Sequence, residues 1–358
     1  MVERRLSIVY VVPTFARTGV TNVLLGLVQG MISNNNNVVV VALNDFDVSD
    51  SVQVELQNTG AKIHVLQGSY MHKVNELRKI VSLEKANIVH SHAMKADLFV
   101  SIAINGVKKV STAHNIAKQD FTAVYGRFRG TLMALLQKNL YKYRFNAVYA
   151  VSKTVSDYWR KNGVETFVVY NGFGNLGQNP EVKRQIKFEY PVHFVWTGRI
   201  SKRKRLGVLL EWIKGNENYS ITIVGNGALY GHLKQEYHDY SNIVFVGRVQ
   251  DVLPYLLSDS IFVSASSSEG LPMAAIEAMK NNLPLLLSDI PQHRELSDSN
   301  FFGVQFFSDK EGFFKGVQNL VESNNQVETE KIYVEKFTLE RMTANYLKQY
   351  EYLISRRK

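Results

Sequence analysis

Along this chain, short runs of apolar and β-branched residues alternate with longer stretches in which apolar positions return every three or four residues. The runs fall at Leu6 to Val12, Val38 to Leu43, Lys62 to Leu66, Asn87 to His92, Val110 to Ala113 and Ala147 to Val151. Compact β-rich runs suit buried strands and a 3.6-residue period suits one face of a helix, so the alternation predicts a parallel sheet covered by helices. After Thr166-Phe-Val-Val-Tyr-Asn-Gly172 the pattern gives way to a polar stretch, Phe173 to Tyr190, broken by Gly174, Gly177 and Pro180. Such punctuation marks a linker.

The rhythm restarts at His193 to Thr197, Ser220 to Val224, Ile243 to Val246, Ser260 to Ser264 and Leu283 to Leu287, which predicts a second α/β domain. Expected bounds are 1–172 for the first domain, 173–190 for the linker and 191–338 for the second. Leu339 to Ile354 places Met342, Tyr346, Tyr350 and Leu353 at helical spacing and should pack as an amphipathic helix. A length of 358 residues agrees with two domains at roughly 150 residues each.

With 45% hydrophobic residues and 7 prolines, the composition is that of an ordered globular protein. The lack of cysteine excludes disulfides, thiolate chemistry and cysteine-based zinc sites, and is compatible with the cytoplasm. The apolar run that follows Arg4 and Arg5 is short and is succeeded by Pro13, Thr14 and Arg17, so it reads as a first buried strand and not as a leader. No apolar run reaches the ~20 residues that span a bilayer. Any membrane contact is expected to be peripheral.

The net charge of +10 is unevenly spread: residues 1–172 hold 20 Lys and Arg against 11 Asp and Glu. Between 118 and 161, nine basic residues meet two acidic ones. Arg127, Arg129, Lys138, Lys142 and Arg144 there are interleaved with Tyr125, Phe128, Leu132, Leu135, Leu136, Tyr141, Tyr143 and Phe145. A basic and apolar helical stretch suits an anionic membrane surface. The same pattern also fits a helix with one face in the core and a solvated basic face.

Candidate chemistry clusters at the strand exits of the second domain. Directly after Thr197 comes Gly198-Arg199-Ile-Ser-Lys-Arg-Lys204-Arg205, a glycine turn with five cations at the carboxyl end of a strand, where open α/β sheets bind ligands. Arg grips a phosphate bidentately and Lys adds a point charge, so the two together can neutralise a departing diphosphate without a metal ion. Taken alone, the run also reads as a solvated basic loop.

Glu269-Gly-Leu-Pro-Met-Ala-Ala-Ile-Glu277 follows the run Ile261 to Ser264 and sets two carboxylates around a helix start, with Pro272 expected at the first helical position. A helix N-terminus attracts phosphate, and Gly270 lets backbone come close to a ligand. Carboxylates beside a phosphate would repel it, so Glu269 and Glu277 fit better as acceptors for hexose and ribose hydroxyls. Gly225-Asn226-Gly227 and Gly247-Arg248-Val249 are further strand exits; the second reads either as backbone offered to a nucleobase or as an ordinary turn.

In the first domain, Thr18-Gly19-Val20 lies between the first strand and a helical run from Asn22 to Met31, and Thr112-Ala-His114-Asn115 sets a histidine at a strand end. His90 and His92 should share one strand face, with no third ligand apparent for a metal. Asp45-Phe-Asp47 resembles a metal-binding Asp-x-Asp but reads as a solvated loop. No phosphate loop of the Gly-x-x-x-x-Gly-Lys type and no Gly-x-Ser-x-Gly elbow occurs.

Taken in order, Gly198-Arg199 with Lys204, then Val224-Gly-Asn-Gly227, Val246-Gly-Arg248 and Glu269-Gly-Leu-Pro-x4-Glu277 resemble the family 4 retaining glycosyltransferases of the GT-B fold, of the bacterial surface-polysaccharide type. The resemblance implies an α/β protein of two Rossmann-like domains with parallel sheets facing a cleft, and a last helix, about 339–358, that crosses back to the N-terminal domain. The first domain would take the acceptor and the second the nucleotide-sugar donor. It also implies that Arg199 and Lys204 hold the donor diphosphate, Glu277 the ribose and Glu269 the transferred sugar. Gly270 and Leu271 would offer backbone near that sugar, Gly198 would shape the turn, and Arg248 and Val249 would border the base. His114 matches a histidine near the transferred sugar, and Gly19 the second glycine of a Gly-Gly turn whose first place Thr18 takes here. A second departure is Asn281-Asn282, where relatives end the helix with Gly; Asn tolerates the same left-handed cap.

The implied reaction is retaining transfer of a hexose-type sugar, UDP being the commonest carrier, to a lipid-linked oligosaccharide or polysaccharide. No cofactor and no metal are expected. The implied setting is cytoplasmic, peripheral on the cytoplasmic face of the inner or plasma membrane. A nucleotide-sugar epimerase of the same architecture is the nearest rival reading, against which the Glu-x7-Glu element argues. The basic first half also raises a nucleic-acid-binding protein, but no nucleic-acid motif occurs and none is expected as a partner.

Overall fold

The computed structural model describes residues 5–45, 51–174, 190–257, 259–298, 300–323 and 327–356. The chain divides into two compact units, Met1–Leu176 with Thr338–Lys358, and Gly177–Phe337. Residues 175–189, most of the expected linker, lie outside the described residues, as does Asp47 of the Asp-x-Asp element.

In the first unit, β1 (Ser7–Val12), β2 (Asn37–Ala42), β3 (Lys62–Val65), β4 (Ile88–His92), β5 (Lys108–Ala113), β6 (Ala147–Ala150) and β7 (Phe167–Val168) form one parallel sheet in the order β3-β2-β1-β4-β5-β6-β7. Val38 to Val41 are buried without alternation, because helices cover both faces of a parallel sheet. The strands fall at the apolar runs of the sequence.

The final helix, Leu339–Ser355, packs on this unit. Tyr350 OH lies 2.6 Å from Nδ1 of His90, and Tyr346 OH lies 2.8 Å from Oγ1 of Thr112, so its aromatic stripe is pinned to β4 and β5 by buried hydroxyls. The helix Gly19–Ser33 comes close beside it: a Cβ at Gly30 would fall 1.9 Å from Oγ1 of Thr343.

Asp97, fully buried on the helix Met94–Ala103, accepts from Ser91 and Ser111 on the sheet at 2.7 and 2.6 Å and from Gln137 and Tyr141 at 3.2 and 3.1 Å. The last two belong to the helix Arg127–Arg144. Four donors on one carboxylate thus fix that helix by one face, formed by Gly130, Ala134, Gln137 and Tyr141. Tyr141 is therefore a core residue and not one of the surface aromatics expected from its neighbours.

In the second unit, β8 (Val192–Thr197), β9 (Tyr219–Val224), β10 (Ile243–Gly247), β11 (Ser260–Ser264), β12 (Leu285–Ser288) and β13 (Val304–Phe307) pair in the order β10-β9-β8-β11-β12-β13, all parallel. The chain runs outward from β8 in one direction, then returns to β11 and continues in the other. The switch point of the sheet therefore lies between β8 and β11, where the exits of both strands leave a crevice for a ligand. β13 was not expected: it is a half-buried edge strand of only four residues whose apolar run is interrupted by Gln305. Asn282, at φ 53°, takes the left-handed place after the helix Met273–Lys280, as expected for asparagine there.

Candidate active site

The β8 and β11 exits meet through an ion-paired cluster. Past Gly198 and Arg199 the chain makes one short helical turn, Lys202–Lys204, which turns two cations onto the segment after β11. Lys204 Nζ donates to Oε1 of Glu269 at 2.7 Å, and Arg203 Nη1 to Oε2 at 2.6 Å. Ser267 N donates to the Arg203 carbonyl at 2.9 Å and knits the two loops backbone to backbone. Glu269 is only 6% exposed. Burial acts to raise its pKa, but the charges of Lys204 and Arg203 and hydrogen bonds from Lys204 and Ser266 outweigh it and hold the carboxyl at about 2. Glu269 is thus a permanent anion with both oxygens occupied. Arg199, in contrast, is exposed and pairs with no carboxylate among the described residues.

Glu277 sits one turn into the following helix, which begins at Met273; Pro272 occupies the cap with φ −78° and ψ 80°, one residue earlier than expected for it. The Glu277 side chain is half-buried and has no hydrogen-bond partner among the described residues. Desolvation pushes its pKa up to about 7, with Lys204 lowering and Asp251 raising it. The Glu277 carboxyl oxygens are acceptors that can take hydroxyl donors. Gly270 and Leu271 are buried, whereas Arg248 is exposed and Val249 half-buried after β10.

Three strand exits buttress one another beneath the cations. Gly198 N donates to the Val224 carbonyl at 3.0 Å, Ile200 N to that of Asn226 at 2.9 Å, and Gly225 N to that of Gly247 at 2.7 Å. The glycine turns that are individually weak signals form one platform.

The remaining two candidates belong to the first unit. Gly19 is the first helical residue, and a Cβ there would meet nothing. Thr18, standing where a glycine was expected, caps that helix: its hydroxyl accepts from Thr21 N, while the Thr21 hydroxyl accepts from Thr18 N, so two otherwise unpaired donors are already satisfied. His114 follows β5 directly, and its Nε2 lies 3.0 Å from Nδ1 of His92, which stacks on His90 at 4.3 Å. A third histidine does join the pair, through a hydrogen bond; among the described residues no three such groups are arranged to hold a metal ion. Burial drives His114 down to about 4 and His92 well below its usual value, so both rings are neutral. His92 Nε2 is buried without a partner. Orphaned N–H groups are rarer than orphaned acceptors, which assigns the N–H of His92 to Nδ1, donating to His114, and leaves His114 with Nδ1–H as an outward donor.

A family model for glycosyltransferase family 4 matches residues 17–173, and one for group 1 glycosyl transferases matches residues 191–323. The chain belongs to the family 4 glycosyltransferases. The enzyme is 23% identical over 313 residues to the O-antigen biosynthesis glycosyltransferase WclY of Escherichia coli, covering 82% of this chain and 83% of that one. It is 25% identical over 253 residues to the Escherichia coli UDP-Gal:alpha-D-GlcNAc-diphosphoundecaprenol alpha-1,3-galactosyltransferase, covering 65% of each. The structure of Anabaena HepE in complex with UDP and glucose superposes with a TM-score of 0.77 at 15% identity, over 97% of this chain and 100% of that one. This likeness identifies the fold as GT-B.

Within this glycosyltransferase, Arg203 escaped individual notice although it lay inside the run of five cations. Only the three-dimensional turn separates it, pointing at Glu269, from Lys202 and Arg205. The His92–His114 bond joins residues on adjacent strands and had a single signal, the shared strand face of His90 and His92.

Proposed function

We propose that this glycosyltransferase moves a hexose-type sugar from a UDP-sugar to a lipid-linked oligosaccharide or polysaccharide in surface-polysaccharide biosynthesis, with retention at the anomeric carbon and without a metal. The observation that carries the reading is the cation turn Arg199–Lys204 at the switch point of the second sheet, anchored by buried Glu269. Arg199 and Lys204 would neutralise the diphosphate as the bond from the anomeric carbon to its oxygen breaks, and Glu277 would accept the ribose hydroxyls. The acceptor oxygen then bonds to that carbon, its proton passing to the departing diphosphate oxygen. Glu269, held near pKa 2 by two cations, is a poor nucleophile and suits a ligand to the sugar. The relatives that act in O-antigen biosynthesis and on an undecaprenol-linked sugar with UDP-Gal support this choice of donor and acceptor. Incubation of the chelator-treated enzyme with UDP-sugars and a diphospholipid-linked sugar should give an α-linked product by NMR. Isomerisation of free UDP-sugar without acceptor would select the epimerase reading instead.

If Glu277 holds the ribose as a carboxylate, donor binding releases its proton. The ionised form is disfavoured below about pH 7 in the free enzyme, so UDP-glucose affinity should rise between pH 6 and 8, by less than about tenfold per unit, and level off above. Calorimetry in two buffers measures that proton release. In Glu277→Gln the profile should be flat; an unchanged slope would remove Glu277 from the ribose site.

The membrane part of the reading gains support from the helix Arg127–Arg144, whose outer side is apolar: Phe128 is 84% exposed, with Leu132, Leu135, Leu136 and Tyr143 on the same face. Cations Arg129, Lys138 and Lys142 flank that row. Since the buried face is a separate one built around Gln137 and Tyr141, core packing does not account for these residues. No helix among the described residues is long and apolar enough to cross a membrane. Phe128→Asp/Leu132→Asp should reduce sedimentation with anionic vesicles by about tenfold or more, each apolar side chain contributing about 1.5–3 kcal/mol of transfer. Equal sedimentation of wild type and variant would refute the contact.

A further inference from the structure

A cavity of about 580 Å³ opens on the first unit at the N-terminal ends of β4, β5 and β6. This is the opposite end of the sheet from the turns that carry Gly19 and His114. Lys108, Lys109 and Arg144 line it, and no acidic residue does. Each cation finds only a carbonyl: Lys109 Nζ donates to Ile104 at 2.9 Å, Arg144 Nη2 to Ser101 at 2.8 Å and Lys108 Nζ to Arg356 at 3.4 Å. None of the three pairs with a carboxylate among the described residues.

The crowding is unfavourable as it stands. Lys109 is 9% exposed, and its ammonium is disfavoured first by burial and then by the Arg144 charge. Two asparagines add neutral donors. Asn87 Oδ1 accepts from Ser7 N and Asn146 Oδ1 from Lys109 N, both at 2.8 Å, which leaves their NH2 groups for another acceptor. Three cations and two amide donors around a cavity without an anion make a receptor for one, since charge-assisted bonds to a phosphate would relieve the repulsion. Tyr143 belongs to the cavity lining and also to the exposed apolar row of the helix Arg127–Arg144. A cationic cup continuous with an apolar stripe matches a molecule that joins a phosphate to a hydrocarbon tail.

We propose that this cavity binds a phosphate group, and that the phosphate is the headgroup of an anionic membrane lipid. The headgroup assignment rests on the membrane reading above; phosphate binding does not.

The test uses the full chain, with sn-glycerol 3-phosphate as the tailless probe and phosphatidylcholine vesicles with and without phosphatidylglycerol. Lys108→Ala/Arg144→Ala removes two cavity charges. Lys79→Ala/Lys161→Ala removes two exposed charges elsewhere on the same unit and corrects for net charge. Lys108→Arg/Arg144→Lys keeps the charges and shows that the cavity still folds. Titration should find glycerol phosphate binding in wild type, in the control pair and in the charge-keeping pair, weakened about tenfold or more in the cavity pair. The cavity pair should also sediment less with phosphatidylglycerol vesicles than the control pair does. Equal glycerol phosphate binding by cavity and control pairs, or none by wild type, overturns the phosphate site. Phosphate binding through the cavity with identical vesicle partition of the two pairs overturns the headgroup assignment and leaves a site for free phosphate. Loss of vesicle binding in Phe128→Asp/Leu132→Asp with intact glycerol phosphate binding would support both readings, so failure of one is distinguishable from failure of the other.

Discussion

Arg199→Met should lower turnover by about 10²–10³-fold while leaving the unfolding temperature where it is. The guanidinium is exposed and pairs with no carboxylate among the described residues, so the folded protein loses nothing when it is removed. Surface changes of this kind shift stability by no more than about 0.5 kcal/mol. Lys204→Met should match it in turnover but not in stability. Lys204 supplies half of the charge that keeps Glu269 ionised inside the protein, and Arg203, 39% exposed at its side chain, remains as a partly solvated substitute. Breaking a buried pair costs about 3–5 kcal/mol, and the surviving Arg203 contact argues for the lower end. Adding Glu269→Gln to Lys204→Met should then recover stability without recovering rate. Steady-state kinetics with the UDP-sugar, beside thermal unfolding of the same four proteins, checks both halves. Full turnover in Arg199→Met and Lys204→Met together would remove the metal-free account of diphosphate departure.

This contrast also marks what a linear reading can reach. The positions of the strands came from apolar runs, and the crossing point of the second sheet follows from the order of those strands. Glu269 and Lys204 were each singled out, one as a sugar acceptor and one as a phosphate cation, yet their 2.7 Å contact was not, because 65 residues separate them and no periodicity spans that distance. Likewise, the row Phe128, Leu132, Leu135 and Leu136 was visible as apolar helical spacing. Whether it faced core or solvent depended on Asp97, a buried carboxylate on another helix that takes hold of the opposite face. The edge strand Val304–Phe307 went unnoticed because four residues are too few to show a period and Gln305 interrupts the apolar run. Local pattern reports which side chains need burial; partner choice among the buried and charged ones is a property of the assembled sheet.

Gly225→Ala should be among the most damaging single-methyl changes in the second unit. Gly225 stands at φ 144°, a conformation that side-chain-bearing residues rarely adopt, and an added Cβ would lie 1.9 Å from the Gly198 carbonyl oxygen. No rotamer relieves that clash, because both partners are backbone. Either the β9 exit or the Gly198–Arg199 turn must move, and with it the hydrogen bonds from Gly198 N and Ile200 N that hold the cation turn in place. A loss of about 3 kcal/mol or more is expected, which lowers the unfolding temperature of a unit this size by about 6–12 °C. The displacement reaches Arg199 and Lys204 through one short stretch of chain, so the stabilisation that UDP-glucose gives wild type should shrink or vanish in parallel. Gly231→Ala serves as the comparison. That glycine lies in the helix Tyr230–Glu236, and a Cβ there would meet nothing within 4 Å. Alanine should leave stability unchanged or raise it by up to about 1 kcal/mol through its better helical propensity, with donor binding intact. Thermal unfolding of both variants with and without UDP-glucose separates the two glycines. If Gly225→Ala melts and binds like wild type, the interlocked exits do not position the cations, and the turn must be held by the Arg203 and Lys204 contacts to Glu269 alone.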